Sequence, residues 1–142
     1  MQPFQFNTTP QLVFRPGAAT ALAAIIAGRC GARPLVVTDP GLTRLGLCDP
    51  ALRSLAGAGL SVTVFDAVEA DPSLATVMAA VEAGRSAGVT GVIGFGGGSS
   101  LDVAKLVALL LGSGEAIDEA WGVGNAKGPR LPLALVPTTA GT

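Results

Sequence analysis

A chain of 142 residues with nine Lys/Arg set against ten Asp/Glu has a net charge of −1, and its basic residues are scattered, which argues against a nucleic-acid partner. Hydrophobic residues make up 49% and charged residues only 13%, with a mean hydropathy of +0.57. No uninterrupted apolar stretch approaches the ~20 residues of a membrane span, so the expectation is one domain with a real core and some apolar surface that a partner covers.

Taken in order, Gln11-Leu12-Val13-Phe14 is a short strand candidate closed by Arg15-Pro16-Gly17. Residues 18–29 are Ala- and Leu-rich and predict a helix, with Gly31 as its C-terminal stop. Pro34 to Thr38 is a continuous apolar strand of the buried, parallel-sheet kind, stopped by Asp39-Pro40-Gly41, a turn sequence. Residues 42–47 suit a short helical turn, 50–56 a helix with Pro50 at its first position, and 60–65 a strand with β-branched alternation. Residues 72–87 predict a helix with Asp71 at the N-cap and Pro72 at N1. A strand over 91–95 leads into a glycine turn and a helix running to Leu111. Residues 112–128 are polar and glycine-rich, a loop anchored by Trp121 with a helical piece at 116–120, and 131–136 is the last strand.

Strands alternating with helices predict βαβ units, hence an α/β fold with a parallel sheet covered by helices on both faces. Ligands of such sheets lie beyond the carboxyl ends of the strands. Three strand ends carry suitable residues: Asp39, the turn Gly96-Gly97-Gly98-Ser99, and Thr138-Thr139 through Thr142. They are expected to converge on one edge.

The glycine turn is the feature with the clearest chemistry. Three successive glycines remove every Cβ, so backbone N–H groups can approach a phosphate while the following helix presents its positive dipole end. Ser99 can cap that helix or donate to a phosphate, and Asp102 three residues on completes a capping pattern. A strand-to-helix turn without any ligand would satisfy the same residues. Neither G-x-G-x-x-G nor G-x-x-x-x-G-K-[ST] is present. Asp39 at the end of a buried strand could accept two hydrogen bonds from an adenosine ribose diol and repel a 2′-phosphate, favouring NAD over NADP, or it could be a turn residue only.

The chain contains no histidine, so a His-based proton transfer or imidazole metal ligation cannot come from these residues. Cys30 and Cys48 lack C-x-x-C spacing and read as reduced structural thiols, and residues 1–5 show neither the basic nor the apolar region of a signal peptide, so a cytoplasmic location is expected.

The run Gly96-Gly97-Gly98-Ser99-x-x-Asp102-x-Ala104-Lys105, followed by Pro137-Thr138-Thr139-Ala140-Gly141-Thr142 and preceded by Thr38-Asp39, closely resembles the iron-containing (group III) alcohol dehydrogenases. The resemblance implies a Rossmann-like, dehydroquinate synthase-like N-terminal domain, with a C-terminal helical domain holding a divalent metal, iron or zinc, through one Asp and three His. It implies that Gly97, Gly98 and Ser99 hold the pyrophosphate of NAD, that Gly96 beside them belongs to the cofactor site, and that Asp39 holds the adenosine ribose. Thr138, Thr139 and Thr142 would face the nicotinamide side, with Asp102 near the carboxamide. Asp71 stands where relatives often have Asn beside the cofactor, and Lys105 could simply pair with Asp102. In relatives the last motif continues with Gly-Ser-Glu and the metal ligands follow it. The expectation is therefore the cofactor-binding part of a longer enzyme, metal-free and inactive alone, whose full-length form moves a hydride between NAD and a small alcohol or carbonyl compound as a homodimer or higher oligomer. A maleylacetate reductase-like enzyme without metal, a non-catalytic nucleotide-binding module and a degenerate structural remnant are the competing readings.

Overall fold

The computed structural model describes residues 9–139. Among them, β1 (Pro34–Val37), β2 (Thr63–Phe65), β3 (Gly91–Gly96) and β4 (Leu133–Pro137) form a parallel sheet in the order β2-β1-β3-β4. Between them lie α2 (Pro40–Arg44) and α3 (Asp49–Gly57), α4 (Leu74–Ser86), and α5 (Gly98–Ser113), with α1 (Leu22–Ile26) ahead of β1.

The two central strands are buried along their whole length, and their side chains alternate between two cores. Leu35, Val37 and Val92 join Val77, Ala80 and Val81 of α4 and Val103, Val107 and Leu110 of α5. Val36, Ile93 and Phe95 point the other way, against Leu22, Ile26, Ala51 and Leu55 of α1 and α3. Each such fully buried side chain stabilises the fold by about 1.5–3 kcal/mol, which is why a parallel sheet reads as an unbroken apolar run. Helices cover both faces, as the alternation of elements predicts.

Gly94 sets how closely α5 rests on the sheet. A Cβ there would lie 2.8 Å from the Ala104 Cβ and 3.0 Å from Leu135 Cδ2, so the helix must approach bare backbone.

Several local expectations fail. Residues 11–14 form no strand; Leu12 and Phe14 are 83% and 97% exposed, so the alternation has no described neighbour to pair with. The helix expected over 18–29 is a 3-10 turn, Ala18–Ala21, followed by the single-turn α1, and it ends at Ala27 and Gly28, both with positive φ, rather than at Gly31. Asp39-Pro40-Gly41 does not merely turn the chain but starts α2. The N-cap of α4 is Ser73, whose hydroxyl accepts from the Thr76 N–H, while Asp71 is exposed with φ 51°. Trp121 is 69% exposed and lies outside both cores, so it does not anchor the loop as expected.

Candidate functional site

The strand order reverses between β1 and β3: the chain moves outward from β1 to β2, then crosses to the far side of β1 to build β3 and β4. The helices following β1 and β3 therefore fall on opposite faces and part at the carboxyl edge, opening a crevice where sheets of this kind take ligands. The crevice has a volume of about 430 Å³ and is walled by three segments: Asp39 to Arg44, the loop after β2 around Glu69, and Gly97 to Ser100.

Gly96 makes the reversal from β3 into α5. Its φ of 149° suits a residue without Cβ, and a Cβ there would meet the Ser100 side chain at 2.8–2.9 Å. Because the turn is completed at Gly96, the helix starts at once, and Gly97 is its N-cap, with no side-chain cap hydrogen bond. The first-turn bond runs from the Leu101 N–H to the Gly97 carbonyl at 3.1 Å, which leaves the Gly98, Ser99 and Ser100 amides ahead of the intrahelical ladder. The expected Ser99 cap is thus corrected: Ser99 lies inside the first turn. Asp102 is too deep in the helix to complete a capping box and pairs instead with Lys105 at 2.9 Å, both side chains more than half exposed, a contact of little energetic weight.

The contrast with the two neighbouring helices is informative. The Asp39 Oδ1 accepts from the Gly41 and Leu42 N–H groups at 2.9 and 3.0 Å and so caps α2, and Ser73 caps α4. Only one oxygen of Asp39 is used in this way, and its other oxygen remains able to accept. On the opposite side of the glycine turn, the Thr138 N–H donates to the Gly96 carbonyl at 2.9 Å, and a Cβ on Gly97 would sit 3.6 Å from Thr139 Cγ2. Asp39, the glycine turn and Thr138-Thr139 thus share one sheet edge, in that lateral order. Asp102 lies one helical turn along α5, and Thr142 lies outside the described residues.

Two crevice residues escaped the sequence reading. The Glu69 carboxylate accepts from the Ser73 N–H at 3.0 Å and from the Thr76 hydroxyl at 2.6 and 2.8 Å; the Ser73 amide, then the Thr76 hydroxyl, lower its pKa from 4.5 to about 2. Its signal was Glu69-x-x-x-Ser73-x-x-Thr76, hidden by assigning the helix start to Asp71 and Pro72. Arg44, in the last turn of α2, donates from Nε to the Pro40 carbonyl at 3.1 Å. Beneath the floor, Thr38 is fully buried, with its hydroxyl 3.4 Å from Cys48 Sγ.

Among the described residues no three His, Cys, Asp or Glu side chains gather as a metal site, and the 142 residues include no histidine. No helix among them is long and apolar enough to cross a membrane.

A parallel sheet with a topological switch point, and a bare helix N-terminus beside a strand-end carboxylate, define the Rossmann-like class of α/β domains. A model of the iron-containing alcohol dehydrogenases matches residues 9–142, and the chain belongs to that family. It is 32% identical over 139 residues to the sulfoacetaldehyde reductase of Bilophila wadsworthia, covering 98% of this chain and 36% of that protein. Among solved structures it is similar to a 1,3-propanediol oxidoreductase, with a TM-score of 0.82 and 30% identity over 90% of this chain and 34% of the other. It also resembles the sulfoacetaldehyde reductase of Bifidobacterium kashiwanohense in complex with NAD+, with a TM-score of 0.71, 29% identity, and coverage of 89% and 33%. The chain thus spans about a third of the length of the relatives it matches.

Proposed function

We propose that this chain is the NAD-holding part of an oxidoreductase that interconverts alcohols with aldehydes or ketones. The observation that carries the reading is the uncapped N-terminus of α5, opening into the crevice at the switch point beside Asp39. The pyrophosphate is held by the Gly98, Ser99 and Ser100 amides, with Gly96 and Gly97 clearing the approach. Charge-assisted hydrogen bonds of this type contribute about 1.5–3 kcal/mol each, and the helix dipole about 0.3–1 kcal/mol more. The free oxygen of Asp39 accepts from the adenosine ribose diol and disfavours a 2′-phosphate. Thr138 and Thr139, and by its place in the motif Thr142, are assigned to the nicotinamide end, with Asp102 toward the carboxamide. When bound, the nicotinamide ring supplies hydride acceptance and donation; the residues described here bind and orient it. A relative solved with NAD+ supports the choice of cofactor, and relatives named for sulfoacetaldehyde and 1,3-propanediol support a small alcohol or carbonyl substrate.

The metal that the family's description implies has no donor set among the described residues. No step at a metal is therefore assigned to them, and the proposed role is confined to the dinucleotide.

Isothermal titration of the chain with NADH, NADPH and ADP-ribose tests the proposal. NADH and ADP-ribose should bind, with NADPH weaker by about tenfold from the Asp39 charge. No binding of any of the three would refute the site, and equal binding of NADH and NADPH would refute the role of Asp39.

A further inference from the structure

We propose that Arg44 is a second coenzyme-discriminating residue: its guanidinium is held at the ribose edge guarded by Asp39, and it grips a ribose 2′-phosphate once the aspartate's charge is removed. The inference rests on the dinucleotide reading of the crevice.

Three charged side chains line the crevice, Asp39, Arg44 and Glu69, and two are already engaged. Glu69 is occupied by Ser73 and Thr76, and one oxygen of Asp39 by the first turn of α2. Arg44 differs. Its Nε bond to the Pro40 carbonyl folds the side chain back along α2, as helical side chains tend to run. Pro40 directly follows Asp39, so the guanidinium is tethered at the Asp39 end of the crevice wall. None of the ion pairs among the described residues uses Arg44. With Nε committed, four N–H donors remain on the terminal nitrogens, in the planar fork that matches a phosphate.

Opposite charges at one ribose edge make opposite demands. A diol coenzyme satisfies Asp39 and offers Arg44 no phosphate there, whereas a 2′-phosphate is attracted by Arg44 and repelled by Asp39. Selection against the phosphate therefore depends on the aspartate alone, and the cation beside it is ready to reverse the preference. Asp39→Asn is the informative change, because an amide oxygen still accepts from Gly41 and Leu42 and keeps α2 capped.

The parent chain, Asp39→Asn, Asp39→Asn/Arg44→Gln and Asp39→Asn/Arg44→Lys would be titrated calorimetrically with NADH and NADPH at low ionic strength. Asp39→Asn should bind NADPH about a hundredfold more tightly than the parent does, about tenfold from the lost repulsion and about tenfold from Arg44, and adding Arg44→Gln should remove the second factor while changing NADH affinity by no more than about twofold. Lysine should restore part of it as a point charge, and the Arg44-dependent part should shrink with added salt. Arg44→Gln weakening both coenzymes by the same factor, or leaving NADPH affinity unchanged, would overturn the inference while NADH binding by the parent keeps the dinucleotide reading. A parent chain that binds neither coenzyme would overturn both.

Discussion

Gly98 is where folding and ligand binding can be separated most cleanly. It is the first residue of α5, it is exposed, and a Cβ built on it meets nothing within 4 Å. Its φ lies outside the positive range that resists a side chain. Gly98→Ala therefore adds a methyl to open space at a position with helix-compatible backbone, which should raise stability by about 0.4–1 kcal/mol through a less flexible unfolded chain. The same methyl projects beside the amides proposed to hold the pyrophosphate. Losing one charge-assisted contact of about 1.5–3 kcal/mol weakens NADH binding by about tenfold or more. Gly96→Ala is the opposing control. Its methyl would lie 2.8 Å from the Ser100 Oγ with φ at 149°, so about 1–3 kcal/mol of backbone strain adds to a similar cost of overpacking. Thermal unfolding followed by circular dichroism, with calorimetric NADH titration of the same samples, reads both quantities. Gly98→Ala should melt no lower than the parent yet bind poorly, and Gly96→Ala should melt about 10 °C or more lower. A Gly98→Ala chain that is stable and binds NADH as the parent does would refute the placement of the pyrophosphate.

Asp39→Ala removes the cap of α2 and should cost about 1 kcal/mol in urea unfolding, whereas Asp39→Asn should cost less; equal losses would show that the two backbone bonds of Asp39 contribute nothing. Glu69 is ionised more readily in the folded chain than in the unfolded one, so its contribution is fully present above the unfolded value of 4.5 and is lost as pH falls through about 2. Glu69→Gln should flatten that part of an acid-unfolding curve, and an unchanged slope would contradict the Ser73 and Thr76 contacts. Burial raises the pKa of both Cys30 and Cys48, so iodoacetamide at neutral pH should label them slowly in the folded chain and quickly in denaturant, as followed by mass spectrometry.

The pattern of apolar runs and breakers was enough to place every strand of the sheet and to anticipate which strand ends share an edge, because a parallel strand buried on both faces needs apolar residues without interruption and must change composition where it meets solvent. The successive glycines likewise marked a wall of the crevice, where Gly97 and Gly98 open α5, since removal of Cβ atoms is a covalent fact independent of context. Failures came where tertiary surroundings select among local options of similar energy. Residues 11–14 alternate as a strand does, but a strand needs a neighbour, and none is found among the described residues. Ser99 and Asp102 have capping spacing, yet Gly96 turns the chain so sharply that the helix begins before Ser99 can act. Asp71 and Ser73 are both acceptable caps, and Glu69 tips the choice by binding the Ser73 amide. The crevice itself, with Glu69 and the glycine turn brought to the side of Asp39, belongs to strand order: residues separated by a crossover become neighbours only when the sheet closes over them, and no local propensity carries that information.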